Sequence, residues 1–252
     1  MSEARLEREA KFHNKAFSEK TRAPAGKFYS VTNSSKQLYH RLLLRDCAGK
    51  RVLEYGCGTG SCAYDLARGN AAVTGIDIAD GAIATAREKA TAENLSDLTS
   101  FEVMNAEALD FETKCFDLAC GSSILHHLDL ERALSELRKV VKPDGRAVFF
   151  EPLGHNLLIN LYRGLTPNLR TEDEHPLCQS DLKLLHRFFD QVELHYFHFL
   201  SLAAVPLRAF PGFEVVLGTL ETLDRILFKI PFFQRQAWIV VMQLSCPKPD
   251  RP

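Results

Sequence analysis

The sequence lacks any run approaching 18 uninterrupted apolar residues, so no segment reads as a membrane-spanning helix. Residues 1–17 are charged throughout and lack the apolar run of a secretory signal. There is no Cys-x-x-Cys pair, and the seven cysteines, at 47, 57, 62, 115, 120, 178 and 246, are odd in number and scattered. That excludes a disulfide framework and reads as buried or free thiols in a reducing compartment. With only 14 glycines and 11 prolines in 252 residues, and no long heptad run, repeat or low-complexity tract, collagen-like, coiled-coil and disordered classes are excluded. The expectation is a cytoplasmic globular protein, one large domain or a domain with a cap.

The chain is 46% hydrophobic, and its net charge of −1 conceals a gradient. Residues 1–50 carry 11 Lys/Arg against 5 Asp/Glu, residues 51–150 carry 10 against 16, and residues 151–252 carry 10 against 11. A basic arm suits an anionic substrate, nucleic acid or a membrane surface. Its positive residues alternate with Glu, however, and show no RNA-binding signature, so a solvated amphipathic helix is the leading reading.

From about 50 to 152, short β-rich runs alternate with helical patterns, the signature of a doubly wound α/β parallel sheet. Strands are predicted at 51–55, 72–78, 99–104, 116–120 and 146–151, with helices after Gly60, at about 80–95 and at about 130–141. Lys142-Pro143-Asp144-Gly145 predicts a turn that ends the last of these. After 152 the rhythm breaks: a polar segment runs to about 177, Ser180-Asp181 can cap a helix through Phe189, and strands follow at 191–199 and 236–244.

The strongest motif is the apolar strand Val52-Leu53-Glu54-Tyr55 running into Gly56-Cys57-Gly58-Thr59-Gly60. Glycines there let the backbone approach a ligand, and the following helix N-terminus offers free N–H donors. The dinucleotide fingerprint would need glycine at 61, where Ser61 stands. A carboxylate two residues before the first glycine, Glu54, suits a ligand ammonium better than a pyrophosphate.

This segment resembles the first motif of the class I S-adenosylmethionine-dependent methyltransferases of the small-molecule, type 11-like kind, and the resemblance continues in order over about 50–152. It implies a Rossmann-like, seven-stranded, mostly parallel sheet with an antiparallel last strand, plus helical cap insertions. It implies S-adenosyl-L-methionine as cofactor and makes Glu54, Gly56, Cys57, Gly58, Thr59 and Gly60 its first contacts. Val73-Thr74-Gly75-Ile76-Asp77-Ile78 is similar to the second-strand motif, with Asp77 on the ribose hydroxyls and Ile78 beside it. Asn105, Ala106 and Glu107 stand in the adenine-reading motif, with Asn105 where the family usually has Asp. Phe116-Asp117-Leu118 is similar to the fourth-strand motif, followed by Ser122.

Methyl transfer requires a positioned nucleophile and, for hydroxyl or ammonium acceptors, a base. Such groups belong at the carboxyl ends of strands four and five. His126, His127, Glu151 and His155 meet that requirement, each also open to a structural reading. Asp173, Glu174 and His175 match no zinc or facial-triad spacing, so no metal is expected.

The domain reading is an N-terminal helical arm or lid (1–48), a cofactor-binding core (49–152 and 179–252) and two cap insertions (153–178 and 200–235). In 200–235, apolar residues at 213, 216, 217, 220, 223, 226 and 227 make an amphipathic helix with a wide apolar face. Core packing, a greasy pocket wall, a dimer face or peripheral membrane contact all suit it. The expected function is methyl transfer to O, N or C of a small, apolar or aromatic metabolite or lipid. Its rivals are a nucleic-acid or protein methyltransferase, whose footprint would be a basic groove and an Asn/Asp-Pro-Pro-Tyr/Phe tetrapeptide where Cys120-Gly121-Ser122-Ser123 stands, and a non-catalytic cofactor-binding scaffold.

Overall fold

The computed structural model describes residues 28–166 and 175–249, together with 5, 8–11 and 14. Helix α1 (Asn33–Leu44) precedes the alternation β1 (Arg51–Tyr55), α2 (Ala63–Arg68), β2 (Ala72–Asp77), α3 (Asp80–Ala92), β3 (Thr99–Val103), β4 (Phe116–Ser122), α4 (Leu130–Val140) and β5 (Val141–Pro152). Helix α5 (Leu157–Leu165), α6 (Gln179–Phe188), β6 (Phe189–Phe197), α7 (Phe213–Leu227) and β7 (Ile239–Pro247) complete the chain. The seven strands form one sheet in the order β3-β2-β1-β4-β5-β7-β6, parallel except for β7, which runs antiparallel to both its neighbours. This is the Rossmann-like, doubly wound sheet that the sequence implied.

Alternation along each strand divides the core between the two faces, because successive side chains point to opposite sides. Val52, Leu118 and Val148 pack with Leu43 of α1, Leu66 of α2 and Ile83 of α3. Leu53, Ala119 and Phe149 pack with Leu134 and Leu137 of α4 and Leu182 and Leu185 of α6. Strands covered on both faces must be apolar throughout, which is why they read as continuous β-rich runs. All seven cysteines are free, five of them buried.

Three local expectations are corrected. The turn at Lys142–Gly145 lies inside β5: pairing with β4 starts at Val141 opposite Phe116 and slips to Arg146 opposite Leu118, so the segment is a bulge. A bulge accommodates Pro143, which has no N–H for the ladder. Helix α6 begins at Gln179, and Asp181, instead of capping from in front, reaches back from the first turn to accept from the Cys178 N–H at 2.7 Å. In α7 only Leu217 of the apolar stripe is fully buried; Phe213 and Leu220 are half-buried, and Val216, Leu223 and Ile226 are exposed. Core packing therefore takes one edge of that stripe.

The long β6–β7 connection stands at the carboxyl edge of the sheet and is pinned by polar contacts. Asp224 of α7, buried, accepts from the Phe199, Leu200 and Ser201 N–H groups (3.1, 2.7 and 3.1 Å) and from the Ser201 hydroxyl (2.8 Å). These are first-turn donors of the 3-10 helix Leu200–Leu207, otherwise without acceptors. His198 lies against them, 2.8 Å from the Ser35 hydroxyl of α1, with burial lowering its pKa to about 3 and so keeping it neutral. Asp224→Asn puts an amide N–H where a carboxylate oxygen accepted. It is expected to cost about 2 kcal/mol, read as a melting temperature lower by roughly 4–8 °C. An unchanged melting temperature refutes this account of the cap. Among the described residues no helix is long and apolar enough to cross a membrane.

Candidate active site

The order of the sheet reverses direction between β1 and β4, so the loops after these strands part and leave a crevice at their carboxyl ends. A cleft lies there, lined by Gly56 after β1, Ile76 and Asp77 of β2 with Ile78 just beyond, and Met104–Glu107 after β3. Ile124, His127 and Leu128 after β4 close another side, and Arg5 and Glu9 complete it.

Gly56, Gly58 and Gly60 all have positive φ (58°, 53° and 86°). A Cβ on Gly56 would stand 2.6 Å from Ile124 Cδ1, and one on Gly60 would stand 2.5 Å from the Tyr64 ring. The turn thus needs glycine both for conformation and for space. Glu54 has another employment than the expected ammonium contact. Its Oε1 accepts from the Cys62 N–H (2.7 Å) and the Ser61 hydroxyl (2.5 Å), and its Oε2 from the Ala63 N–H (2.9 Å). The carboxylate thereby caps α2, and it does not line the cleft; burial raises its pKa while these donors oppose the rise.

Asp77 sits at the end of β2 with Oδ2 accepting from the Gly58 N–H (2.8 Å) and Oδ1 from the Ala79 N–H (2.9 Å). The Asn105 side-chain oxygen accepts from the Glu107 N–H at 3.0 Å, a local turn that shapes the wall after β3. Glu107 is 7% exposed; its Oε1 accepts from the Asp129 N–H at 2.7 Å, and its Oε2 has no hydrogen-bond partner. Burial, the leading cause, raises the pKa of Glu107. Cys57, Thr59 and Gly60 build the turn behind the lining: the Cys57 N–H donates to the Ile76 carbonyl, and the Thr59 carbonyl accepts from the Tyr64 hydroxyl. Ser122 pairs with Phe150 at the end of β4 and does not line the cleft.

The four base candidates separate. Ser123, with φ of 56°, turns the chain sharply after β4 into the 3-10 helix Leu125–His127. There the two imidazoles stack with centroids 4.2 Å apart. His126 Nδ1 lies 2.7 Å from Glu151 Oε2, while Glu151 Oε1 accepts from the Ile124 and Leu125 N–H groups, each at 2.8 Å. Glu151 is fully buried. This corrects the expectation that it would meet the acceptor: its oxygens hold the turn and His126, and neither residue lines the cleft. His155 is also directed elsewhere, its Nε2 accepting from the Gln179 N–H at the start of α6. His127 alone of the four lines the cleft.

Arg5 and Glu9 escaped the sequence reading. His127 Nδ1 lies 3.4 Å from Glu9 Oε2, both side chains 5% exposed, and the Arg5 guanidinium donates to the His127 carbonyl. The only signal was their i, i+4 spacing in a charged arm, which says that they share a helix face and nothing about what they meet. Asp173 and Glu174 lie outside the described residues, and no three-ligand metal cluster occurs among the described residues.

Residues 53–149 match the model of a family described as a methyltransferase domain (Methyltransf_11). The chain is 38% identical over 109 residues to aklanonic acid methyltransferase DauC of Streptomyces sp. (strain C5), an alignment covering 42% of this chain and 49% of that protein. It is 39% identical over 114 residues to a ubiquinone biosynthesis O-methyltransferase of Neisseria meningitidis serogroup A, covering 44% and 47%. The chain thus spans about half the length of the curated relatives it matches. The structure of Haemonchus contortus phosphoethanolamine N-methyltransferase 2 with S-adenosyl-L-methionine superposes with a TM-score of 0.64 at 15% identity, over 94% of this chain and 60% of that one. That likeness is one of fold. The resemblance carried by the motifs holds over the matched segment.

Proposed function

We propose that this chain, whose residues 53–149 match a methyltransferase-domain model, is an enzyme that transfers a methyl group from S-adenosyl-L-methionine to O, N or C of a small, apolar or aromatic acceptor. The observation that carries the proposal is the meeting of Gly56, Asp77, Asn105 and Glu107, from the ends of three adjacent strands, around one cleft in which a buried carboxylate oxygen lacks a donor. The residues fit the cofactor. Gly56 presents bare backbone to the cleft, Asp77 retains acceptor capacity for a diol beyond the two N–H groups it serves, and Glu107 Oε2 awaits an N–H.

When bound, S-adenosylmethionine supplies an electrophilic methyl group on a sulfonium, which passes to the acceptor as a neutral thioether leaves. The chain contributes position, and for an O–H or N–H acceptor it contributes a base. His127 is that base, because it is the ionisable imidazole open to the cleft. The arm at 1–48 serves as a lid, since Arg5 and Glu9 line the cleft. The insertion at 200–235 lines no part of the cleft, but its exposed Phe210, Ile226, Ile230 and Phe232 stand on the connection at the same edge of the sheet. They support an apolar acceptor, as do the names of the relatives, which specify aklanonic acid and ubiquinone biosynthesis.

The test is calorimetry with S-adenosylmethionine, combined with transfer of labelled methyl to a panel of apolar, aromatic and polar metabolites. Asp77→Ala is expected to weaken cofactor binding by about 10- to 150-fold, the value of a charge-assisted hydrogen bond of roughly 1.5–3 kcal/mol. Unchanged affinity in a folded Asp77→Ala protein, or cofactor binding with no methyl transfer to any acceptor, would overturn the reading, the second outcome favouring a scaffold.

A further inference from the structure

Helix α7 has two apolar faces, and the protein covers one of them. Toward the sheet lie Leu217 and Asp224, buried, and Leu220, half-buried. Glu221 on that side is held by α1, where the Ser34 hydroxyl donates to its Oε1 (2.5 Å). The opposite face carries no charged side chain. Val215, Thr219, Thr222 and Ile226 stand there at i, i+4, i+7 and i+11, with Val216 and Leu223 beside them, and all six are exposed. Both threonine hydroxyls donate to the helix's own carbonyls, Thr219 to Val215 (2.9 Å) and Thr222 to Gly218 (2.8 Å). Neither hydroxyl proton therefore needs water, and removing this face from solvent leaves no donor unpaired. Past the end of the helix, Ile230 and Phe232 are exposed as well.

Charge identifies what covers this face. In the β6–β7 connection the exposed charged residues are Arg208, Arg225, Lys229 and Arg235 against Glu214. Asp224 is buried on backbone donors, and Glu221 is half-buried on Ser34. Arg208 donates to the Val205 carbonyl (3.1 Å) and Arg225 to the Thr222 hydroxyl (2.8 Å), neutral partners that leave both charges in place. We infer that this face docks the protein on an anionic lipid surface, α7 lying in the plane of the interface with the cations of the connection at the headgroups. An apolar face edged by Lys and Arg is what such a surface binds, by apolar burial and by attraction to anionic lipid together. A second copy fits less well, because a self-complementary contact would set one cationic rim against the other. At 15 residues α7 is too short to cross a bilayer, so it lies along the interface. The connection and the cleft share the carboxyl edge of the sheet, so docking turns that edge toward the lipid. The inference goes beyond the proposed reaction and does not depend on it.

The experiment is cosedimentation of the full chain with sucrose-loaded phosphatidylcholine vesicles, with and without about one third phosphatidylserine, in the absence of cofactor and acceptor. The wild type is expected to bind the anionic vesicles about tenfold more tightly than the neutral ones, and added salt should erase that difference. Ile226→Glu combined with Phe232→Glu should weaken binding to both vesicles at least about 30-fold, because it takes two apolar groups out of the interface. Lys229→Glu should weaken binding to the anionic vesicles about tenfold and leave the neutral ones within about twofold. Lys114→Glu makes the same change of charge at an exposed site before β4, on the opposite edge of the sheet, and should change neither by more than about twofold. All four positions are exposed, so circular dichroism should show folded variants. The inference is overturned if the wild type binds neither vesicle, if the doubly substituted protein binds as the wild type does, or if Lys114→Glu weakens binding as much as Lys229→Glu, since net charge alone would then explain it. It is also overturned if sedimentation velocity without lipid shows a dimer that the double substitution dissociates, because the occupant of the face is then a second copy.

Discussion

Gly56→Val is expected to reduce S-adenosylmethionine affinity at least about 100-fold, a loss of roughly 2.7 kcal/mol or more, with secondary structure retained. Gly56 holds a φ of 58°, which costs an L-residue about 1–2 kcal/mol, and more with a β-branched side chain. The added Cβ would stand 2.6 Å from Ile124 Cδ1, and Ile124 lines the same cleft. The side chain that must yield is thus one wall of the binding space. Gly212→Ala provides the control. Its φ is 87°, but nothing stands within 4 Å of the new Cβ, and it precedes α7 in the β6–β7 connection, so it introduces backbone strain without obstruction. Calorimetry and circular dichroism should show normal binding in Gly212→Ala and lost binding in a folded Gly56→Val. Normal affinity in Gly56→Val would mean that the cofactor does not approach this turn.

Glu151→Ala is expected to act on stability before it acts on chemistry. Three donors, the Ile124 and Leu125 N–H groups and the His126 ring, would be left in a place without water. At about 1–3 kcal/mol for each buried group without a partner, the cost is of order 4 kcal/mol. In a chain of this size that lowers the melting temperature by roughly 10 °C. Glu151→Gln keeps an oxygen for the two N–H groups and an amide for His126, so its loss should be less than half as large. A residue acting only on the acceptor would leave the melting temperature in place and lower kcat; that outcome would restore the role first read from the sequence.

These two residues show where sequence reasoning reaches and where it stops. The positions of Gly56 and Asp77 were legible because they are set locally: a strand that runs into glycines, and an acid at the end of the next strand, must lie at the carboxyl edge of a parallel sheet. β1 was predicted with its observed limits because Val52, Leu53 and Tyr55 are β-formers buried in the sheet and Gly56 ends the run. Glu151 had the right address and the wrong task. Its position at the end of β5 was legible, but which donors its oxygens would meet depended on the left-handed Ser123, which folds the next strand's loop over it. Glu54 is similar: the interval to Cys62 and Ala63 could have suggested a cap for α2, had the ligand not offered a second use for the same charge.

By itself, the sequence determined the α/β class, the succession of strands and helices around residues 50–152, the glycine turn and the acids that accompany it, because periodicity, turn chemistry and motif spacing act over a few residues. It also marked 200–235 as unusually apolar. Only the tertiary structure decided which of four base candidates faces the cleft, that Glu107 keeps an oxygen without a donor, that Asp224 pins the β6–β7 connection while a single residue of the α7 apolar stripe is fully buried, and that Glu9 meets His127. Those facts depend on which groups remain without partners once the chain has closed. Burial and hydrogen-bond satisfaction are properties of the packed whole, and no spacing along the chain encodes them.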